Sequence, residues 1–142
     1  MHRILLPVDG SEASLRAVDQ VLTKAGLTKE PTEIHLLNVQ LALPQGVTAF
    51  VSQRQIEGYH HDEGVKELAR AREKLDAAKM PYQFHIGVGA DPAQVIARYA
   101  RDKKCDQVVM GTRGLGSVAG VLLGSVATKV IHLLDVPILL VK

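Results

Sequence analysis

Glycine, serine and arginine gather in one stretch, MGTRGLGSVAGVLLGSV (residues 110–126), directly after a valine run and ahead of a helical pattern. Glycine-rich turns between a strand and a helix let backbone N–H groups approach phosphates. Three chemistries compete for this one. GLGSVA matches the G-x-G-x-x-A of a dinucleotide fingerprint, and Asp135 lies about 20 residues further on, where an acid would hold a ribose. That acid should close the next strand, whereas Asp135 precedes it and only seven residues follow. A Walker loop fails because Gly124, not lysine, precedes Ser125. What remains is a split loop, G-x2-G-x9-G-S, built on Gly111, Gly114, Gly124 and Ser125. Gly111 and Gly114 let backbone approach a ribose and phosphates with no Cβ in the way. Gly124 and Ser125 open a helix whose free N–H groups and dipole favour an anion. The Ser125 hydroxyl can cap that helix or donate to a phosphate, and Arg113 adds a cationic hydrogen bond. Gly116 and Gly120 are read as spacers between the two halves.

Other polar residues carry less. Asp9, in PVDGS (7–11), is read as a ligand contact and, with Glu12, as a capping box for the first helix. YHHDEG (59–64) concentrates His60, His61, Asp62 and Glu63, with Glu57 four residues before His61, but a metal-ligand spacing such as H-E-x-x-H is absent. It is read as a solvated helix face. His35 and His85 fall on strands as packing residues, and His132 near a helix C-terminus suits the dipole. Cys105 is the only cysteine, which excludes an internal disulfide and fits a reducing compartment. Lysines at 103 and 104 would favour a thiolate, but the plainer reading is a small residue leading into a strand. No Ser–His–Asp, Cys–His or paired-carboxylate arrangement stands out, so no catalytic residue and no metal site is assigned.

These residues need elements to position them. Apolar runs at 3–8, 33–39, 82–88, 107–110 and 137–141 read as five strands. Helical spacing connects them over 11–25, 53–79, a stretch opened by Asp91, Pro92 and Gln94 as cap, first-turn proline and capping box, and 125–134. On the long helix the predicted buried face is Val65, Leu68, Arg72, Leu75 and Ala78, with Gly58 and Gly64 weakening its first half. Residues 40–52 read as irregular. Strand–helix alternation means βαβ units and a parallel sheet. Strands one and four are apolar throughout, as central strands are, while two and three alternate with polar residues. The expected fold is a single α/β domain over 1–142, a doubly wound five-stranded sheet of order 3-2-1-4-5 with helices on both faces. Its switch point lies between strands one and four, which sets PVDGS beside the glycine loop at the carboxyl ends of the strands, where ligands bind. The fifth strand, opening at Pro137 and ending at Val141, is apolar yet at an edge, so a twofold homodimer through it is expected.

Composition narrows the class further. The chain has 142 residues, 46% apolar and 23% charged, as in a globular domain. No apolar run reaches the length of a membrane span, and the N-terminal run before Pro7 is too short for a signal peptide; a cytoplasmic location is expected. Seventeen basic and fifteen acidic residues are interspersed, with few aromatics, which disfavours nucleic-acid binding.

ILLPVDGSEAS, DPAQVIARYA and VVMGTRGLGSVAGVLLGSVATKVIHLLDVPILLV resemble the universal stress protein family, over nearly the whole chain and most specifically in its last third. The resemblance is to single-domain members that bind ATP and dimerise through the last strand. It implies that Pro7, Val8 and Asp9 line the base and ribose end, and that Val39 offers backbone to the adenine. Met110 and Gly111 would flank the ribose, and Arg113, Gly114, Gly124, Ser125 and Val126 would hold phosphates. Family members often carry basic residues between the two halves of the motif; here LGSVAGVLL has none. Phosphate affinity would then lean on backbone N–H groups and a bound Mg²⁺, or the site would prefer fewer phosphates. The expected function is a dimeric, nucleotide-responsive stress regulator with at most slow ATP hydrolysis or autophosphorylation. The alternative is a nucleotide-free dimeric interaction module acting through residues 40–52.

Overall fold

The computed structural model describes residues 1–114 and 123–142. Strand β1 (His2–Pro7) leads to helix α1 (Glu12–Ala25), β2 (Thr32–Leu41), a one-turn helix α2 (Gln45–Thr48) and the long α3 (Gln53–Ala77). Then come β3 (Tyr82–Gly89), α4 (Pro92–Asp102), β4 (Gln107–Gly111), α5 (Ser125–Leu133) and β5 (Ile138–Val141). The strands form one parallel sheet in the order β3-β2-β1-β4-β5, as the strand compositions require. Register places Ile4 beside Ile34, Val39 beside Gly87 and Gly111 beside Val141. Sequence neighbours β1 and β2 pair, but β1 also pairs with β4, and the chain reverses its direction of growth between them.

Strand side chains alternate between faces, so the sheet feeds two cores. Ile4, Leu6, Val8, Ile34, Leu36 and Val109 pack with α1 and α3 through Leu15, Val18, Leu68 and Leu75. Leu5, Leu37, Val108 and Met110 pack with α4 and α5 through Ile96, Ala100 and Val130. Each fully buried leucine or valine stabilises the fold by about 1.5–3 kcal/mol relative to exposure. β5 lies at one edge, and all four of its residues are only half-buried.

Four local expectations change. Residues 40–52 are not wholly irregular, because β2 extends to Leu41 and α2 forms one turn. Helix α1 is capped by Ser11, whose hydroxyl accepts the Ser14 N–H, and not by a box between Asp9 and Glu12. Asp91 does cap α4, accepting the Ala93 N–H with Pro92 in the first turn. The buried face of α3 is His60, Gly64, Leu68, Ala71 and Leu75; Val65 and Arg72 are half-buried and Ala78 is exposed. Gly64 explains the shift. A Cβ there would fall 2.8 Å from two side-chain carbons of Ile86 on β3, so the bare glycine lets the helix approach the sheet. His60, 4% exposed, is likewise inside rather than on a solvated face, while its neighbours His61 and Asp62 are exposed.

The strand histidines do more than pack. The His35 ring is hydrogen-bonded to His85 at 3.0 Å and to Glu33 at 2.6 Å, and the two imidazoles stack. Cys105 is buried, and its thiol is pushed up to about 11 by burial and then by the charge of Asp106, so it is no thiolate. Among the described residues no helix is long and apolar enough to cross a membrane.

A candidate nucleotide cleft at the switch point

At the end of β1 the chain must leave the sheet and start α1 within four residues. Gly10 makes this possible with φ of +84°, a conformation open to glycine and strained for other residues. Asp9 tightens the same turn, its Oδ1 accepting the Ser11 N–H at 2.9 Å. Across the sheet, β4 ends at Gly111, and a Cβ there would lie 2.8 Å from the Ala13 carbonyl carbon. Gly111 thus lets the first turn of α1 sit against β4. At Gly114 a Cβ would collide with the Asp9 carboxylate. The glycines expected to make room for a ligand therefore also make room for the protein itself. They join the two segments that the topology brings together.

The two halves of the split loop meet where the Gly124 N–H donates to the Thr112 carbonyl at 2.6 Å, while the Thr112 N–H donates to the Val141 carbonyl on β5. Residues 115–122, and with them the spacers Gly116 and Gly120, lie outside the described residues.

These segments, with β2 and α4, enclose a cavity of about 510 Å³, within the ~300–1,000 Å³ of small-molecule sites. Pro7, Val8 and Asp9 line it from β1, Val39 from β2, and Met110, Gly111, Arg113 and Gly114 from β4 and its loop. Gly124, Ser125 and Val126 complete it from the start of α5, so every residue singled out from the sequence borders the same space. Sequence reasoning missed Leu37 and Leu41, which share a face of β2 with Val39 by the two-residue period. It also missed Pro92 and Ile96, one turn apart on α4, and Ser14, Thr112 and Ala127. The periodicities were present; what was lacking was the knowledge that α4 roofs this end of the sheet.

The cavity has two chemical ends. Leu37, Val39, Leu41, Ile96 and Met110 make one side apolar, suited to a flat base. The other side holds Asp9, Arg113, Gly114 and the first turn of α5. Three helices begin near the cavity, and two of them are already satisfied, α1 by Ser11 and α4 by Asp91. Helix α5 starts at Gly124 with no side-chain cap among the described residues; Ser125 lies inside the first turn and does not cap it. Its first-turn N–H groups and dipole are thus the anion-seeking end of the cleft. Arg113 is the one cation and Asp9 the one carboxylate lining the cavity among the described residues, and no histidine, cysteine or lysine borders it. A single carboxylate beside a phosphate suits Mg²⁺, which takes one or two carboxylates and completes its shell with phosphate and water. No group of three metal-ligating side chains is found among the described residues.

An open parallel sheet with a cleft at its switch point, apolar on one side and meeting on the other a helix N-terminus with no side-chain cap among the described residues, makes this a doubly wound α/β protein with a cleft where such folds bind ligands. Comparison with known proteins gives the family: the model of the universal stress protein family matches residues 1–142, and the chain belongs to that family. It is 33% identical to the universal stress protein MJ0531 of Methanocaldococcus jannaschii over 99% of this chain and 81% of that protein. The solved structure of MJ0577, from the same organism, superposes with a TM-score of 0.81 at 28% identity, over 99% of this chain and 94% of that one. A universal stress protein solved in complex with cAMP superposes at 0.72 and 26% identity, over 99% and 97% of the two chains.

Proposed function

We propose that this protein binds ATP in the switch-point cleft and acts as a dimeric, nucleotide-responsive stress regulator in the cytoplasm. The observation that carries the reading is the pairing of an uncapped α5 N-terminus with an apolar slot in one cavity. The base lies against Val39, Leu41 and Ile96. The ribose sits between Asp9 and the Met110–Gly111 strand end. The phosphates meet Arg113, the backbone at Gly114, and the first turn of α5 at Gly124, Ser125 and Val126. Asp9, whose Oδ1 already accepts the Ser11 N–H, is the carboxylate of the described lining that a phosphate-borne Mg²⁺ would meet, and the ion would neutralise phosphate charge. With Asp9 the only acid–base group on the lining described, the cleft favours holding a nucleotide over turning it over. The half-buried edge of β5 supplies the dimer contact.

Ser125→Glu tests the site cleanly. Ser125 is exposed, and an acid in the first turn of a helix does not harm folding. Calorimetric titration should show ATP affinity falling at least about tenfold, since two like charges in contact cost more than the equivalent of one decade. Undiminished binding by the folded variant would remove α5 from the site. A second reading, for a nucleoside monophosphate or cyclic nucleotide, is favoured by the single lining cation and by the cAMP-bound relative. Parallel titrations with AMP and cAMP, and mass spectrometry of the natively purified protein, separate the two. No retained ligand and no binding by any of them leaves the interaction module.

A further inference from the structure

Asn38 lies in the middle of β2, fully buried, on the face covered by α3. An amide in a core is costly unless its hydrogen bonds are made. Here they are: Nδ2 donates to the Val8 carbonyl at 2.9 Å and to Glu67 Oε2 on α3 at 2.5 Å, while Oδ1 accepts from Gln40 Nε2 at 2.7 Å. Val8 is one residue past the end of β1, and its N–H donates to the Leu37 carbonyl at 2.8 Å. Both backbone groups of Val8 are therefore tied to β2, one by the ladder and one by a side chain. Two residues later Gly10 faces the same residue of α3: a Cβ added there would lie 3.5 Å from the Glu67 carbonyl oxygen, at ordinary contact distance. The turn of α3 that holds the Asn38 amide thus also passes near the loop, and the Val8 carbonyl is where the loop is tied to that amide. Next to Val8 stands Asp9, whose carboxylate enters the cleft against Gly114.

We propose that Asn38 and Glu67, neither of which lines the cavity, are positioning residues for the nucleotide: through the Val8 carbonyl they fix where the neighbouring Asp9 carboxylate emerges. This rests on the nucleotide reading above. A buried apolar pair of the same shape would stabilise the fold equally well or better. What the amide adds is a fixed direction for the Val8 carbonyl, and so a loop that needs no ordering when ligand arrives.

Three variants of the full chain test this: Asn38→Leu, Glu67→Leu and Glu67→Gln, the last keeping an acceptor for Asn38. ATP calorimetry well below the unfolding temperature should show the two leucine variants weakened about three- to tenfold, the worth of one hydrogen bond. Glu67→Gln should stay within about twofold of the parent. Amide exchange of Ser11, whose N–H is held by Asp9, should quicken by a similar factor in the same two variants without ligand. Should Asn38→Leu fail to fold, Glu67→Leu against Glu67→Gln decides, because Glu67 is only half-buried. Equal ATP affinity and equal Ser11 exchange in those two variants would overturn the proposal. If the parent binds no ATP, the ATP reading falls, and Ser11 exchange alone still decides whether Asn38 and Glu67 hold Asp9.

Discussion

Gly114→Ala should change the sign of its effect on stability according to what stands at position 9. In the parent, the new methyl would collide with the Asp9 carboxylate. The backbone at 114 has no positive φ, so an alanine is otherwise tolerated there. To relieve the clash Asp9 must rotate and give up the Ser11 N–H, now at 2.9 Å. A hydrogen bond to a charged group contributes about 1.5–3 kcal/mol, and the low end applies because Asp9 is half-buried and partly screened. Against this, replacing glycine by alanine stabilises by about 0.4–1 kcal/mol through the unfolded chain. The net expectation is a loss of about 0.5–1 kcal/mol. In an Asp9→Ala background only the favourable term survives, so the same substitution should stabilise by about 0.4–1 kcal/mol. Urea unfolding of the four proteins measures it; with m of about 1–3 kcal/mol/M, the midpoint moves by roughly a few tenths molar in each direction. An equal loss with and without the Asp9 carboxylate would refute the argument.

On β5 the carbonyls of Pro137 and Val141 accept from β4, so Leu139 faces β4 and Leu140 turns its backbone to the open edge. Leu140→Pro should therefore dissociate the proposed dimer in light scattering while leaving the monomer folded, whereas Leu139→Pro should destabilise the fold itself; a dimeric Leu140→Pro variant would move the interface elsewhere. Burial, then the charges of Lys103 and His35, hold the His85 imidazole below its ordinary 6.5. A depressed base stabilises the fold fully above pH 6.5, and this contribution is lost as pH falls toward the folded value, because the unfolded chain takes up the proton first. The melting temperature should therefore fall from pH 7.5 to 5.5, and His85→Gln should flatten that fall. Cys105, with its thiol near 11, should react with iodoacetamide at pH 8 roughly a hundredfold more slowly than in denaturant; equal rates would place it on the surface.

Much of the architecture was legible because strand apolarity encodes depth in a parallel sheet. Continuous apolar runs put β1 and β4 at the centre, and the crossover order then set PVDGS beside the glycine loop. On α3 the sequence picked out Leu68 and Leu75 of the buried face but not His60 and Gly64, since a histidine and a glycine carry no apolar signal and Gly64 is set by Ile86 some twenty residues away. The α1 cap was ambiguous: Asp9 and Ser11 are both good capping residues, and the αL turn at Gly10 decides for Ser11. The glycines were read as space for a ligand. That Gly111 faces Ala13, and Gly114 faces Asp9, is a tertiary fact no local pattern contains. Asn38 and Glu67 escaped notice for the same reason, since a lone asparagine in a strand has no spacing to betray it.

The bond from Gly124 to Thr112 has a consequence for how this protein can be altered. It ties Thr112, just after β4, to Gly124, just before α5, so the backbone itself fixes Arg113 and Gly114 relative to the first turn of α5. Closing a longer excursion costs only about 0.6 kcal/mol for each doubling of length. A reporter or binding peptide spliced between Gly114 and Leu123 should therefore leave Gly124 bonded to Thr112, and with it Arg113 and Ser125 in place.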